Sequence, residues 1–184
     1  MKKQLNEQFI RMQKLAGIIT ENQINEVEMD KDALMSQFEE QWKDHSQEYL
    51  DLVGTNPIYK GLDAVVNNPK VKQETFDWAY NLTAEDEDAL EGFGGYVQDG
   101  IDYEIMQAFA PQLAKNLIAA GFTYDKDEDI WTIPQSYLDK MGGMFDYSKG
   151  ATSYGIIWDI WNMDYDTSPR EVISDYLKDA AEAL

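Results

Sequence analysis

Apolar side chains recur at helical spacing along most of this chain, and this repeat constrains the fold more than any other feature. The clearest case lies between residues 31 and 53, where six apolar or aromatic residues are three or four positions apart: Leu34, Phe38, Trp42, His45, Tyr49 and Leu52. A second repeat runs at steps of four: Val97, Ile101, Ile105, Phe109, Leu113 and Leu117. Such spacing lines one face of an α-helix. The sequence therefore predicts a mainly α protein.

Proline, glycine and N-cap residues predict where these helices begin and end. A short helix is expected from Ile58 to Val66, and Pro69 suits the first turn of the next one. Thr83, which acids follow, is typical of an N-cap. Pro111 is expected to kink or restart the long helix. Breaks in the chain are expected at three glycines: Gly92, Gly94 and Gly95.

The pattern changes between residues 122 and 133. Two β-prone runs, 122–124 and 130–133, flank the acidic segment Asp125–Asp129, which is typical of a β-hairpin with an acidic turn. Ser168 and Pro169 then predict the start of a C-terminal helix that ends near Ala183. Its inward face is expected to contain Val172, Ile173, Tyr176, Leu177 and Ala180.

Taken together, these elements predict a single compact α-rich domain with a small β-hairpin near 122–133. With 184 residues, the chain is long enough for one domain and short for two. We place the acidic helical domain at residues 27–184 and assign residues 1–26 to a basic amphipathic leader or a first helix.

A formal net charge of -20 limits the classes of partner. Such a field repels phosphate backbones and anionic lipids, so neither direct nucleic-acid binding nor membrane binding is expected. Protein partners are expected instead. The chain has no cysteine, which excludes disulfides and thiolate metal sites. It also lacks an apolar run of the roughly 20 residues that cross a bilayer, so the expected location is the cytoplasm or the inside of a particle.

No motif for catalysis, a cofactor or a metal ion stands out. No cofactor or metal ion is expected, and a non-enzymatic role is favoured while an enzymatic one stays open. Asp125, Asp127 and Asp129 alternate like the first ligands of a calcium loop, but Ile130 and Ser136 replace the glycine and glutamate that such a loop needs. We interpret them as an acidic turn. The single histidine, His45, lies on an apolar stripe and is interpreted as structural. A P-loop is not supported, although Lys149 lies among glycines.

Two clusters leave a functional interpretation open. Aromatic, acidic and amide side chains between Trp158 and Tyr165 would suit a sugar, and they would equally suit an apolar face followed by a polar loop. Residues 73–114 carry no lysine or arginine but ten acids. Five of these are taken as candidate interaction residues, on a face that either imitates phosphates or only increases solubility: Glu85, Asp86, Glu87, Asp88 and Glu91.

The N-terminal segment differs in charge from the rest of the chain. Residues 1–20 carry four bases and a single acid, and residues 4–16 have the spacing of a short amphipathic helix. Such a helix can dock in a partner's groove, or it can pack on the domain as its first helix. The candidate interaction residues here are Phe9, Arg11, Met12 and Lys14.

This segment is also the one that resembles known proteins. The stretch from Arg11 to Glu21, Arg-Met-Gln-Lys-Leu-Ala-Gly-Ile-Ile-Thr-Glu, is similar to an N-terminal sequence on otherwise unrelated small proteins of marine tailed phages. It also resembles head-targeting leaders of T-even-like phages, which a prohead protease cuts after glutamate in a Leu/Ile-x-Glu context. Three sites fit that context, and cleavage is expected at the last: Glu7, Glu21 and Glu26.

Three functional hypotheses follow. The first is a non-enzymatic tailed-phage protein that is packaged in or attached to the particle and acts through protein contacts, possible partners being phage structural proteins. The second is an acidic DNA mimic that inhibits a host nucleic-acid-binding or defence protein. The third is a carboxylate-based enzyme that acts on glycans.

Overall fold

The computed structural model describes residues 31–85, 89–139, 150–159 and 169–184. The chain divides into two compact units, Met1–Gln37 and Phe38–Leu184. In the first unit the described residues are 31–37, which form the first turns of a helix. All other elements belong to the second unit.

The described residues form seven α-helices, one short 3-10 helix and one hairpin. The predicted mainly α fold with a small hairpin is confirmed. In chain order the elements are α1 Lys31–Leu52, the 3-10 helix Pro57–Tyr59, α2 Leu62–Val66, α3 Pro69–Glu85, α4 Ala89–Ala119, β1 Thr123–Asp125, β2 Ile130–Thr132, α5 Gln135–Leu138, α6 Ser153–Asp159 and α7 Pro169–Glu182.

The long helix α4 carries the core of the second unit. Its buried residues repeat at every fourth position: Phe93, Val97, Ile101, Ile105, Phe109, Leu113 and Leu117. Four residues turn an α-helix about 40° beyond a full circle, so this stripe winds around the helix instead of staying on one side. The stripe can therefore face different neighbours along its length, and α4 contacts α3, α7, α2, the 3-10 helix and β1.

The expected break at the glycines is wrong, and so is the expected restart of the helix at Pro111. The helix begins at Ala89 and continues through the three glycines, and it also contains Pro111. Glycine weakens a helix interior by roughly 1 kcal/mol compared with alanine, whereas burying one large side chain such as Phe93 gains roughly 2 to 3 kcal/mol. Burial of Phe93 among the glycines and of Val97 after them therefore keeps this segment helical.

Thr83 does not cap a new helix as predicted. It lies inside α3, is fully buried, and its Oγ1 donates a hydrogen bond of 2.8 Å to the carbonyl of Ala79. A threonine hydroxyl that bonds the preceding turn satisfies its own polarity within a helix. The threonine therefore does not need a helix end, and α3 runs on to Glu85.

Within the second unit, the part of α1 from Phe38 onward contacts its neighbours through large aromatic side chains. The ring of Phe38 lies 5.3 Å from the ring of Phe76 on α3, in edge-to-face geometry. Trp42 and Tyr49 are also buried, as predicted. His45 is half-buried, with its side chain 31% exposed, and its Nδ1 lies 4.0 Å from Glu48. This agrees with a structural histidine.

The segment predicted as one helix from Ile58 to Val66 is divided in two. Gly61 takes a left-handed φ of 88° between the 3-10 helix and α2, a conformation that glycine adopts without strain. Asn116 of α4 stabilises this break, because its Nδ2 donates to the carbonyls of Ile58 at 2.8 Å and Lys60 at 2.9 Å. Pro69 begins α3 as predicted.

The hairpin and the C-terminal helix complete the unit. Strands β1 and β2 are antiparallel, and Tyr124 is paired with the fully buried Trp131. On α7, Ile173 and Leu177 are buried as predicted, but Val172 is 40% exposed, so its inward position is wrong. The residues of this helix that face inward recur at every fourth position, and Val172 lies beside them. No helix in the described ranges is both long and apolar enough to cross a bilayer.

Candidate functional site

The most unusual polar group in the described residues is a carboxylic acid buried in α4. Asp102 is only 7% exposed and accepts a hydrogen bond from the hydroxyl of Tyr49 on α1. The solvent-exposed Asp99 lies one turn before Asp102 on α4. Aspartate is rarely buried unless a partner satisfies it, so this bond is a specific link between α1 and α4.

The surroundings of Asp102 favour its neutral form. Burial is the main cause and raises the pKa of this carboxyl to about 7; the hydrogen bond from Tyr49 lowers it, and the charges of Asp99 and Glu48 raise it. The group therefore stays protonated to a much higher pH than an ordinary aspartate does.

Next to this pair lies a surface that combines aromatic rings with carboxylates. We define the aromatic–acidic surface by six residues from three helices: Glu74 and Trp78 of α3, Asp99, Tyr103 and Glu104 of α4, and Tyr176 of α7. The aromatic residues are partly exposed. The Trp78 and Tyr103 rings lie 5.5 Å apart, inclined by 46°.

Gly100 allows this arrangement. A Cβ atom at this position would lie 2.8 Å from Cε3 of Trp78, closer than side chains pack. The absent side chain lets the indole lie directly against the backbone of α4, and this brings it beside Tyr103. The glycine therefore shapes the surface.

The titratable groups of this surface lie in a negative electrostatic potential. Burial, followed by the charge of Asp99 and the neighbouring Tyr176, raises the pKa of Tyr103. Burial and the charge of Glu104 raise the pKa of Tyr176. Burial and the charge of Glu74 raise the pKa of Glu104, which Lys70 lowers. Burial is the largest cause of each shift, and the carboxylates of Asp99, Glu74 and Glu104 add to it, so the surface favours the approach of a cation.

A second surface, an open groove beside α1, contains its own cation. Lys72 of α3 is ion-paired with Glu39, and its Nζ lies 5.9 Å from the centre of the Trp42 ring. The groove is lined by Trp42, Lys43, Ser46, Leu50 and other residues of the two helices. Here the chain itself supplies a base, an aromatic ring and an acid together.

The hairpin carries a third polar cluster, which is structural. The carboxylate of Asp129 accepts hydrogen bonds from Tyr124 at 3.0 Å and from Ser153 at 2.6 Å, and Trp131 donates to the Ser153 hydroxyl at 3.0 Å. Asp129 thus faces α6 instead of the turn, while Asp125 accepts from the backbone of Asp127. These carboxylates stabilise the acidic turn and do not converge on a common point; the described ranges contain no cluster suited to a metal ion.

The link between the hairpin and α6 yields a testable prediction. Gly150 has a φ of 90°, and a Cβ atom there would lie 2.6 Å from the carbonyl oxygen of Trp131. A Gly150→Ala variant should lower the free energy of unfolding by roughly 2 to 4 kcal/mol, because both the left-handed backbone and the close approach penalise a side chain. Urea denaturation checks this. Gly95→Ala, where a Cβ meets nothing within 4 Å, is the control, and equal effects would contradict the prediction.

Most predicted site residues fall outside what the structure describes. The leader residues Phe9, Arg11, Met12 and Lys14, the cleavage site Glu26 and residues 86–88 lie outside the described residues. Glu85 and Glu91 lie on helices, but their side chains are not described; the same holds for Trp158 at the start of the predicted sugar-binding cluster. The glycan-enzyme hypothesis therefore stays a prediction.

The residues that form the aromatic–acidic surface were only partly indicated by the sequence. The base-free acidic stretch includes Glu74, Asp99 and Glu104, but it also includes Asp102, which is buried and so contributes nothing to an exposed acidic face. Tyr176 was expected on the inward face of the C-terminal helix and is partly exposed, as is Trp78. Tyr103 is not part of the every-fourth-residue repeat that is buried on α4. Its position outside that repeat could have predicted its exposure.

Comparison of the chain with known protein families, with curated proteins and with solved structures finds no significant match. The function is therefore argued from the site itself.

Proposed function

We propose that this chain is a non-enzymatic tailed-phage protein, packaged in or attached to the particle, that acts through contacts with a protein partner. The aromatic–acidic surface is the observation that supports a contact with a protein partner. The resemblance of the leader to phage proteins supports the association with the particle. Virion and host cytoplasm are the corresponding locations.

The composition of the surface fits protein recognition. Trp78, Tyr103 and Tyr176 lie on three different helices, so a rigid framework holds them. Partly exposed tyrosine and tryptophan provide large contact areas at low cost in side-chain entropy, and these residue types are enriched at the centres of interfaces. The surrounding carboxylates can then select a partner by charge.

Peptide mass spectrometry on purified particles tests this proposal. We expect the protein to remain with the particles through density-gradient purification, with an N-terminal peptide that begins at Val27 if the leader is cut after Glu26. An intact N-terminus from Met1 would keep the particle association and contradict the cleavage. Particles that lack the protein altogether would overturn the proposal.

A second candidate function is a DNA mimic that inhibits a host DNA-binding protein. The base-free stretch 73–114 favours it, because Asp77 and Asp99 are exposed on neighbouring helices. A mimic should release a host DNA-binding protein from double-stranded DNA in a competition assay. Failure to compete at low salt, where charge attraction is strongest, would remove this candidate.

A further inference from the structure

We propose that the aromatic–acidic surface binds arginine side chains of a protein segment, with the guanidinium against the Tyr103 and Trp78 rings and between the carboxylates of Asp99 and Glu104. This inference rests on the proposed function and names the chemistry of its partner.

The chain already uses the same combination of groups internally. In the groove beside α1, Lys72 lies over the Trp42 ring and is ion-paired with Glu39. The aromatic–acidic surface offers the rings and the acids, and five of its six residues come from the stretch 73–114, which carries no lysine or arginine. A partner can therefore supply the cation that Lys72 supplies in the groove.

Charge complementarity supports a basic partner. The protein carries a formal charge of -20, and within the surface Glu74 and Glu104 repel each other. One base of the described residues, Lys70, contacts this surface: its Nζ lies 3.4 Å from Glu74 in an exposed pair. It lies at the edge of the surface, one turn before Glu74, which leaves Asp99 and Tyr103 for a cation from outside.

The aromatic rings favour arginine over lysine. Trp78 and Tyr103 are inclined by 46°, so they are not stacked face to face and leave ring surface for a third group. A guanidinium is planar, is more weakly hydrated than an ammonium, and stacks on aromatic rings while it bonds a carboxylate. A lysine side chain would be attracted by the carboxylates of the surface but would contact little of the area of its aromatic rings.

The test uses the full chain and two defined probes, hexa-arginine and hexa-lysine, with calorimetry at roughly 150 mM salt to screen the general field. The double variant Asp99→Asn/Glu104→Gln removes two carboxylates of the surface. Its matched control, Asp127→Asn/Glu128→Gln, removes the same charge from the exposed hairpin turn. Circular dichroism verifies that each variant is folded.

We expect the surface variant to weaken hexa-arginine binding by at least about fivefold, and the control variant to weaken it by less than about twofold. Equal losses in both variants would show binding by the overall charge alone and would overturn the proposal. No binding by the unmodified chain would overturn it as well.

The ring contact is tested separately at one position. Tyr103→Leu should weaken hexa-arginine binding by about threefold or more with little change for hexa-lysine, whereas Tyr103→Phe, which keeps the ring, should bind as the unmodified chain does. A leucine variant with unchanged preference for arginine would contradict the ring contact. These binding results are independent of the mass spectrometry on particles. Arginine binding can therefore be contradicted while the virion role holds, and the virion role can be contradicted while arginine binding holds.

Discussion

An Asp102→Asn variant should be more stable than the unmodified protein at about pH 8, by roughly 1 to 3 kcal/mol, and no more stable at about pH 4. Asparagine keeps the oxygen that accepts the hydrogen bond from Tyr49, but it removes a charge that the buried site disfavours. The gain should therefore appear only where the native carboxyl is ionised.

The sign follows from proton linkage. The folded pKa of Asp102 is about 7, above its ordinary value of 3.8. At a pH between these two pKa values, the folded state holds a proton that the unfolded state has lost. The contribution of this group to stability is complete below the unfolded pKa and is lost as the pH rises toward 7 and above. Three pKa units correspond to an upper limit of about 4 kcal/mol.

Urea denaturation from about pH 4 to pH 8 measures this effect, and the variant should show a flatter dependence of the free energy of unfolding on pH. Asp77→Asn, an exposed change on α3, is the control and should leave the slope nearly unchanged. If Asp102→Asn were destabilising at every pH, the carboxyl would be ionised and favourably bonded in the fold, and the raised pKa would be wrong.

The second large effect is expected in the aromatic core beneath the site. Phe76 of α3 is fully buried and contacts three rings: Phe38 at 5.3 Å, Tyr80 at 5.8 Å and Phe93 at 6.5 Å. Phe76→Ala should lower the free energy of unfolding by roughly 3 to 5 kcal/mol, because it removes apolar burial and leaves a cavity where α1, α3 and α4 meet.

Chemical denaturation of Phe76→Ala beside Gln73→Ala checks this prediction. Gln73 is exposed one turn earlier on the same helix and bonds Asp77 at 3.0 Å, so its replacement should change stability by less than about 0.5 kcal/mol. A loss below about 1 kcal/mol in Phe76→Ala would indicate that this part of the core repacks or is not formed. A large loss in both variants would contradict the assignment of the effect to packing at Phe76, and helix propensity could not explain it, because alanine is the best helix former.

The candidate site could be predicted only in its charge. The absence of bases from residues 73–114 marked this region as acidic, and Glu74, Asp99 and Glu104 do contribute to the surface. Counting acids could not separate these from Asp102, which is buried. Exposure depends on which face of each helix its neighbours cover. For the same reason, the partial exposure of Trp78 and Tyr176 was not predicted, because an aromatic residue on an amphipathic helix is more often in the core.

The helices themselves were determined by the sequence. Apolar spacing predicted α1, the long repeat of α4 and the C-terminal helix, and β-prone runs around an acidic turn predicted the hairpin. These signals are local, because they depend on the period of the backbone and on turn residues. Tertiary packing decided the rest: it kept Gly92 to Gly95 helical, left Thr83 inside α3, joined Tyr49 to Asp102, and placed Trp78 against Gly100. Each of these outcomes depends on a neighbour distant in the chain or on burial that outweighs a local preference of about 1 kcal/mol.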